Sequence, residues 1–259
     1  MYKNRFVSLS LMLASLVLVG AGCGQKASVS TDTTAAPTTP PKAATSDVCG
    51  NPYYPFKPGL AVAYGVTPPA STVGSSDYVL RVVSVSGTTA TIRAEMAGGA
   101  AADMTADCAS GSVALKGSSG LGAAMEGLQF KTTVLSSSGT YMPSDVAAGV
   151  TWSNEEKIKM EVTGGPGAIA GMGPITLTTK EDSKAIGEES VTVPAGTYTA
   201  MKVELKRTTT SEISGSSVKI PPSTATSTEW WVKGIGMVKT VTKDGGATST
   251  VEAKSVVGQ

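Results

Sequence analysis

The 259-residue sequence has no histidine and few charged residues, and these two features exclude several classes of function. Without histidine the chain lacks the commonest general base and the commonest metal ligand, so histidine-dependent hydrolases and histidine-ligated zinc or haem sites are excluded. Charged residues make up 16%, against about a quarter of a typical globular chain. Lys plus Arg, at 21, nearly equals Asp plus Glu, at 20, so no basic surplus favours nucleic-acid binding.

A single long apolar run is present, and it lies at the N-terminus. Lys3 and Arg5 precede an uncharged stretch, residues 6–22, that ends in small residues. A basic segment, an apolar segment and a small-residue end are typical of a secretory signal peptide. The run is too short to favour a spanning helix, which needs about 20 apolar residues. We therefore predict that residues 1–22 are a signal peptide and that the protein is extracytoplasmic.

The run ends in Leu18-Val19-Gly20-Ala21-Gly22-Cys23, which resembles the lipobox of bacterial lipoproteins. The resemblance implies that Cys23 becomes the mature N-terminus and carries a diacylglyceryl group and an N-linked acyl chain such as palmitate. More than one acyl chain suffices for stable anchoring. We expect a lipid anchor in a cell membrane, at the outer leaflet or in the outer membrane according to the envelope. Ordinary secretion and an uncleaved anchor are the alternatives.

Residues 23–47 have the composition of a disordered tether. Seventeen of residues 24–47 are Ala, Ser, Thr or Pro, and none is aromatic. Such a segment buries too little apolar surface to offset the entropy of an ordered chain. The folded domain is therefore predicted to span residues 48–259.

Two cysteines, Cys49 and Cys108, remain after Cys23. An even pair in an oxidising compartment favours one disulfide, and two buried free thiols are the alternative. A catalytic cysteine is not expected, because no histidine is present to activate it.

From residue 48 onward, apolar and polar residues alternate with a period of two, which indicates β-strands. Residues 78–96 read as a hairpin with one solvated face. Further strands are predicted at 60–66, 104–108, 112–116, 128–135, 157–162, 175–180, 186–193, 199–206, 227–233, 236–243 and 247–256. Only residues 121–127 suggest a short helix. We predict one antiparallel all-β domain, either a barrel, a curled half-barrel or a sandwich.

A short pattern occurs twice in the predicted domain. Tyr54-Pro55 is followed by Gly59 and Tyr64, and Tyr141-Met142-Pro143 is followed by Gly149 and Trp152. Two copies of one opening turn would fit a duplicated sheet, and chance similarity is the alternative.

Three segments, residues 54–59, 191–203 and 230–239, carry a family resemblance. Val191-Thr192-Val193-Pro194-Ala195-Gly196-Thr197-Tyr198 and Trp230-Trp231-Val232-Lys233-Gly234-Ile235-Gly236-Met237-Val238-Lys239 resemble motifs of the TapB-like secreted proteins and lipoproteins. The resemblance implies an extended antiparallel sheet that can curl into the half-barrel of lipoprotein carriers. It implies no established activity and no catalytic residues.

Two glycine-rich apolar loops, residues 117–127 and 163–174, suggest lids over a hydrophobic pocket, and slack hairpin loops are the alternative. Trp230 and Trp231 lie on opposite faces of one predicted strand, so one of them is expected in the core and the other at a groove or in solvent. The candidate ligand-binding residues are Trp152, Ile169, Met172, Trp230 and Trp231.

The remaining chemical motifs are weak. Ser216 and Lys219 satisfy the Ser-x-x-Lys pattern, but they lie in a Gly/Ser loop before Pro221-Pro222 and not at a helix start. The acidic pairs 155–156, 181–182 and 188–189 lack calcium-loop spacing and are expected at solvated strand edges. No catalytic residue, metal ligand or cofactor is therefore predicted.

Together these features predict a non-enzymatic, membrane-anchored lipoprotein. Its partners would be the membrane, through the lipid on Cys23, and an apolar or lipid-like small molecule on the concave face of the sheet, or an envelope protein. A structural or surface-interaction module without a ligand pocket is the alternative function. No nucleic-acid partner is expected.

Overall fold

Alternating apolar and polar residues form twelve antiparallel strands in the computed structural model, which confirms the all-β prediction. The structure describes residues 49–69, 77–97, 99, 101–117, 129–164, 173–217 and 219–258. These residues belong to one compact unit, Ala43–Gln259. The signal peptide, Cys23, the tether and the helix suggested at 121–127 lie outside the described residues.

The strands follow the predicted positions closely. They are β1 (Ala61–Thr67), β2 (Tyr78–Ser86), β3 (Thr89–Met96), β4 (Ala101–Ala109), β5 (Ser112–Lys116), β6 (Gln129–Gly139), β7 (Thr151–Gly164), β8 (Ile175–Val193), β9 (Gly196–Ile213), β10 (Ser223–Val232), β11 (Gly236–Asp244) and β12 (Ala247–Val257).

One prediction of strand number was wrong. Segments 175–180 and 186–193 form a single strand, β8, with a bulge between Ala185 and Gly187. The intervening residues looked like a loop because they are polar. They continue the strand because their backbone pairs with β9, and the side chains of Glu181 and Ser183 point toward the interior.

The strands form one sheet in the order β5-β4-β3-β2-β1-β12-β11-β10-β9-β8-β7-β6, and every neighbouring pair is antiparallel. The two edge strands, β5 and β6, come together without a continuous ladder. Val113 of β5 instead exchanges backbone hydrogen bonds with Met142, which follows β6, at 2.8 and 3.1 Å. The sheet is therefore nearly closed into a barrel.

The segment before β1 packs into the interior and is held there by a disulfide and a buried amide. Cys49 and Cys108 form the predicted disulfide, with their Cα atoms 5.6 Å apart. The side-chain amide of Asn51, fully buried, donates to the backbone oxygens of Gly111 at 2.7 Å and Pro143 at 2.9 Å. Its oxygen accepts from two backbone N–H groups at 3.0 Å. A buried polar side chain with all of its bonds satisfied fixes the path of this segment.

The twice-occurring sequence pattern corresponds to a structural repeat. Gly59 and Gly149, with φ of 85° and 90°, each end a turn that leads into the first strand of a half. The N–H of each glycine donates to the next strand: Gly59 to Val82 O at 2.9 Å, and Gly149 to Ala185 O at 2.8 Å. Each of those strand residues donates back: Val82 to Leu60 O at 2.9 Å, and Ala185 to Val150 O at 2.9 Å. The structure thus favours duplication over chance. We call residues 49–139, with β1–β6, the first half, and residues 140–258, with β7–β12, the second half.

The tip of the β8–β9 hairpin folds over the outside of the sheet. Pro194-Ala195 forms its two-residue turn, and the backbone N–H of Ala195 donates to Ala253 O at 3.0 Å on β12, a strand that is not adjacent to β8 in the sheet. Val191 and Val193 are buried there against Val232 and Val238. These residues belong to a second apolar cluster, which extends from the hairpin tip to Val62 and Tyr64 of the cavity wall.

In the part of the chain that the structure describes, no helix is long and apolar enough to cross a membrane.

Candidate functional site

The curved sheet surrounds a cavity of about 750 Å³, and residues from both halves line it. The first half contributes aliphatic side chains, three tyrosines and a proline, and none of its described lining residues carries a charge. Its strands place these side chains inward by the same alternation that predicted the strands. This aliphatic wall includes Val62, Leu80, Val82, Ile92, Met96 and Met104.

The second half contributes a polar wall to the same cavity. Its members come from four neighbouring strands, β8 to β11, at the positions that point into the barrel. They are Thr179, Glu181, Arg207, Thr209, Ser227, Glu229, Thr240 and Thr242. The cavity is therefore amphipathic, with an aliphatic side and a polar side.

Glu181 and Arg207 form an ion pair in this wall. They are direct cross-strand partners on β8 and β9, and the guanidinium donates to Glu181 Oε1 at 2.6 Å. Burial lowers the pKa of Arg207, but the charge and hydrogen bond of Glu181 and the charge of Glu229 outweigh it, so the pKa is raised overall. The Glu181 side chain is 11% exposed and that of Arg207 is 45% exposed, so the arginine lies toward an opening of the cavity.

Glu229 lies one strand farther along, on β10, and it forms no ion pair with a cation in the part of the chain that the structure describes. Its carboxylate accepts one hydrogen bond, from the indole N–H of Trp231 at 2.9 Å. Burial raises the pKa of Glu229 to about 7. The hydrogen bond from Trp231 and the positive charge of Arg207 lower this pKa, and the negative charge of Glu181 raises it further. Because an ionised carboxylate can accept about four hydrogen bonds, Glu229 keeps unused acceptor capacity.

The hydroxyl groups of the polar wall form pairs, with one exception. Thr179 and Thr209 lie 3.5 Å apart, and Ser227 and Thr242 lie 2.8 Å apart. The buried hydroxyl of Thr240 has no hydrogen-bond partner among the described residues. Thr240 is the direct cross-strand partner of Glu229, so the two polar groups with unused capacity are neighbours.

Aromatic side chains enclose the cavity beside Glu229. The ring centroids of Tyr54, Tyr141 and Trp231 lie 5.8 to 6.2 Å from one another. Tyr64 stacks on Tyr78 at 5.0 Å on the adjoining wall and donates its hydroxyl hydrogen to Met237 O at 2.6 Å. Burial raises the pKa of Tyr54, Tyr64 and Tyr141, and it raises the pKa of Tyr78 to about 12, so all four phenols stay neutral at physiological pH.

The candidate ligand-binding residues do not all meet at this cavity. Trp231 lines it, and Trp230 lies on the opposite face of β10, as predicted for the pair. The indole N–H of Trp230 donates to Glu189 at 2.7 Å, and that of Trp152 donates to Tyr141 O at 2.9 Å. Ile169, Met172 and most of the two glycine-rich loops lie outside the described residues. Their role in binding stays a prediction.

The charged residues of the cavity were missed by sequence reasoning. The expectation that the acidic pairs lie at solvated edges was wrong for Glu156 and Glu181, which are buried at 4% and 9% exposure. Alternation along a strand places one member of the first two pairs in the interior, whereas Glu188 and Glu189 are both exposed, as expected. A signal for Glu229 was available, because it lies two residues before Trp231 and therefore shares its face.

The polar wall offers little for a metal ion. Within the described ranges, no group of three or more His, Cys, Asp or Glu side chains could hold one. Of the two cavity carboxylates, Glu181 is already neutralised by Arg207. The arrangement is suited instead to binding a small amphipathic molecule, because it combines an apolar wall with a few convergent polar groups.

The fold and the cavity define a class, namely an all-β protein with a nearly closed antiparallel barrel around an amphipathic interior. A family model described as DUF3108-like matches residues 88–251, more than half of the chain. The chain belongs to the DUF3108-like family.

Two solved structures share this fold. One is a candidate exported protein with a YmcC-like fold from Bacteroides fragilis, at 13% identity and a TM-score of 0.54, covering 79% of this chain and 98% of its own. The other is a candidate lipoprotein from Parabacteroides distasonis, at 17% identity and a TM-score of 0.54, covering 79% and 97%. No curated protein matches the chain significantly. The lipobox and the TapB-like resemblance stay predictions.

Proposed function

We propose that the protein is a membrane-anchored, extracytoplasmic lipoprotein that binds an apolar or lipid-like molecule inside its barrel and catalyses no reaction. The observation that carries the proposal is the cavity. Its volume of about 750 Å³ falls within the range of about 300–1,000 Å³ of small-molecule sites. Its aliphatic wall offers apolar surface, and burying such surface is the main driving force for binding a lipid-like chain.

The proposed location is supported by the sequence and by the structural relatives. Residues 1–23 have the pattern of a signal peptide and end in the lipobox-like segment at Cys23. The two solved structures with this fold are described as a candidate exported protein and a candidate lipoprotein. The disulfide between Cys49 and Cys108 fits an oxidising compartment outside the cytoplasm.

The non-enzymatic part of the proposal depends on the chemistry of the wall. Its only cation, among the described lining residues, is Arg207, which is bound to Glu181. Glu229 could act as a base near neutral pH, and the Thr240 hydroxyl lies beside it, but no unpaired cation among the described lining residues could stabilise the negative charge of a reaction intermediate. Ser216, half of the Ser-x-x-Lys match, lies in the turn after β9 and does not line the cavity.

The test is a binding titration with pyrene, an uncharged apolar fluorophore, on the purified chain without detergent. Ala94 lines the cavity and is fully buried, so Ala94→Phe places a ring in the cavity. We expect this variant to weaken pyrene binding about tenfold or more. Thr91→Phe, on the outward face of the same strand, is the matched control and should bind like the wild type.

Circular dichroism of both variants checks that the fold is intact. If the wild type binds neither pyrene nor an alkyl alcohol, the binding proposal fails. The protein would then be better described as a structural or surface-interaction module.

A further inference from the structure

We propose that the cavity selects amphipathic ligands with a cationic amine head, whose ammonium group binds between Glu229 and Thr240 while the apolar chain lies against the aliphatic wall. This inference rests on the proposed function, because it requires that the cavity bind a ligand. It adds the chemical class of the head group, which the volume and the aliphatic wall leave open.

The charges of the wall favour a cation. Among the described lining residues, the charged groups are Glu181, Arg207 and Glu229. The first two neutralise each other through a direct hydrogen-bonded pair at 2.6 Å. Glu229 is left as the uncompensated group, so the wall carries one net negative charge when Glu229 is ionised. A carboxylate or phosphate head group would meet that charge in a poorly solvated site and be repelled.

The unused hydrogen-bonding capacity lies where an ammonium group would need it. Among the described residues, the indole N–H of Trp231 is the only group that donates to Glu229. Thr240, its cross-strand partner, has a buried hydroxyl without a partner among the described residues. An ammonium group carries three donors and no acceptor, so one group can donate to the carboxylate and to the threonine oxygen. The other hydroxyls of the wall are already paired with each other.

The aromatic residues beside Glu229 suit the same head group. Tyr54, Tyr141 and Trp231 lie within 6.2 Å of one another, and all three line the cavity. Aromatic faces attract cations, and the attraction is stronger in a site shielded from water. A bound ammonium group would therefore have a carboxylate on one side and aromatic surfaces on another.

Binding should depend on pH through Glu229. The groups that face it are Tyr64 on β1, Tyr78 on β2, Glu181 on β8, Arg207 on β9 and Tyr54 and Tyr141 from the segments before β1 and β7. Burial keeps the tyrosines neutral around neutral pH, and Glu181 and Arg207 are hydrogen-bonded to each other at 2.6 Å. The pKa of Glu229 is about 7, so the wall gains its negative charge as the pH rises from 6 to 8. A primary amine keeps its proton up to about pH 10.

The experiment compares three probes that share one chain and differ in the head group: decylamine, decanol and decanoate. Their affinities are measured by displacement of pyrene from the full chain at pH 6 and pH 8. We expect decylamine to bind about tenfold more tightly than decanol at pH 8, with the difference shrinking at pH 6, and decanoate to bind most weakly.

Three variants locate the effect. Glu229→Gln should lower decylamine affinity at pH 8 by about tenfold, remove its pH dependence and leave decanol unchanged. Thr240→Val should weaken decylamine several-fold by removing one acceptor, again without affecting decanol. Glu204→Gln is the matched control, because Glu204 is an exposed carboxylate on the outward face of β9 and should change nothing.

The outcomes separate the two proposals. Equal binding of the three probes would overturn the amine inference and leave the binding function standing. Tightest binding of decanoate would overturn it in favour of an anionic head group near Arg207. Failure of all three probes to displace bound pyrene would overturn the amine inference alone, and failure of the chain to bind pyrene or decanol in a direct titration would overturn both.

Discussion

The two halves of the barrel share a backbone plan but differ in what they place inside. Each half opens on the same hydrogen-bonded turn, ending at Gly59 or Gly149, and continues into an antiparallel meander. The first half lines the cavity with apolar and tyrosine side chains and no charge, and the second half adds an ion pair, a carboxylate and hydroxyls to apolar and aromatic side chains of its own. The backbone hydrogen bonds of the sheet do not depend on the inward side chain, so the same architecture accommodates both.

The difference indicates a division of tasks between the halves. Apolar burial in the first half stabilises the fold by about 25 cal/mol per Å² removed from water. Desolvated charges in the second half contribute little or act against stability, because removal of ions from water offsets their attraction. Buried charged side chains that lower the stability of the fold and cluster in one wall of a cavity are candidates for ligand recognition.

The largest expected effect concerns the covalent link, which only the first half has. No cysteine occurs after residue 108, so the second half has no equivalent. Cys49→Ala with Cys108→Ala should lower the free energy of unfolding by roughly 4 kcal/mol, because a loop of about 60 residues is no longer closed. Urea unfolding of the double variant, compared with the reduced and oxidised wild type, measures it. A loss below about 1 kcal/mol would show that the Asn51 contacts alone hold the segment.

The next largest effect is expected from breaking the Glu181–Arg207 ion pair of the second half. Arg207→Met leaves Glu181 uncompensated beside Glu229 and should cost about 3 kcal/mol of unfolding free energy, the lower end for buried pairs because the arginine is partly exposed. Lys180→Met, which breaks the exposed Lys180–Asp182 pair on the same strand, should cost less than about 1 kcal/mol. Both losses of unfolding free energy are measured by urea unfolding at pH 7.5.

A double variant sharpens this result. Glu181→Leu with Arg207→Met makes the second half resemble the first, and it should recover most of the stability lost in Arg207→Met. If the double variant is no more stable than the single one, the ion pair has a structural role that apolar packing cannot replace.

A third effect is a pH dependence caused by Glu229. The folded state holds the proton with a pKa of about 7, against 4.5 for the ordinary group, so the folded state binds more protons between these values. Stability therefore falls as the pH rises through this window and levels off above about 7. Glu229→Gln should remove this slope and raise the free energy of unfolding at pH 8 by roughly 3 kcal/mol.

The measurement is urea unfolding of both proteins from pH 5 to pH 8, with Glu204→Gln as the control that keeps the wild-type slope. Parallel profiles for the wild type and Glu229→Gln would contradict burial as the cause of the shift.

The smallest effect comes from the unpaired hydroxyl. Thr240→Val replaces a buried group that has no partner among the described residues by an apolar group of the same shape. The variant should be more stable by about 1 kcal/mol, because the desolvated hydroxyl is removed. Thr242→Val is the control, since it breaks the 2.8 Å pair with Ser227 and should be destabilising. A loss of stability in Thr240→Val would mean that its hydroxyl is satisfied.

Much of the fold could be predicted because strands carry a local signal. Residues 78–96 and 112–116 were placed almost to the residue, since a period of two and short turns determine where a strand begins and ends. Strand β8 was predicted as two separate strands because the polar residues between them, some of which point inward, resemble a loop in sequence. The disulfide could be inferred from the even number of cysteines alone.

The candidate site was less accessible to prediction. Trp231 was singled out for its size, but Glu181, Arg207, Glu229 and Thr240 lie on four different strands, up to 59 positions apart in the chain. Nothing local distinguishes a charged residue that faces solvent from one that faces a cavity. The register of each strand with its neighbour decides which side chains meet.

The sequence by itself determined the exclusion of histidine chemistry, the alternation that builds antiparallel strands, the repeated turn and the cysteine pair. These are properties of single segments and of composition, which need no knowledge of distant neighbours. Only the tertiary structure decided that the sheet curls until β5 approaches β6, that the β8–β9 tip covers the outside and that the polar residues of β8 to β11 share one wall. Those features follow from long-range strand pairing and sheet curvature, which bring together residues that carry no common local signal.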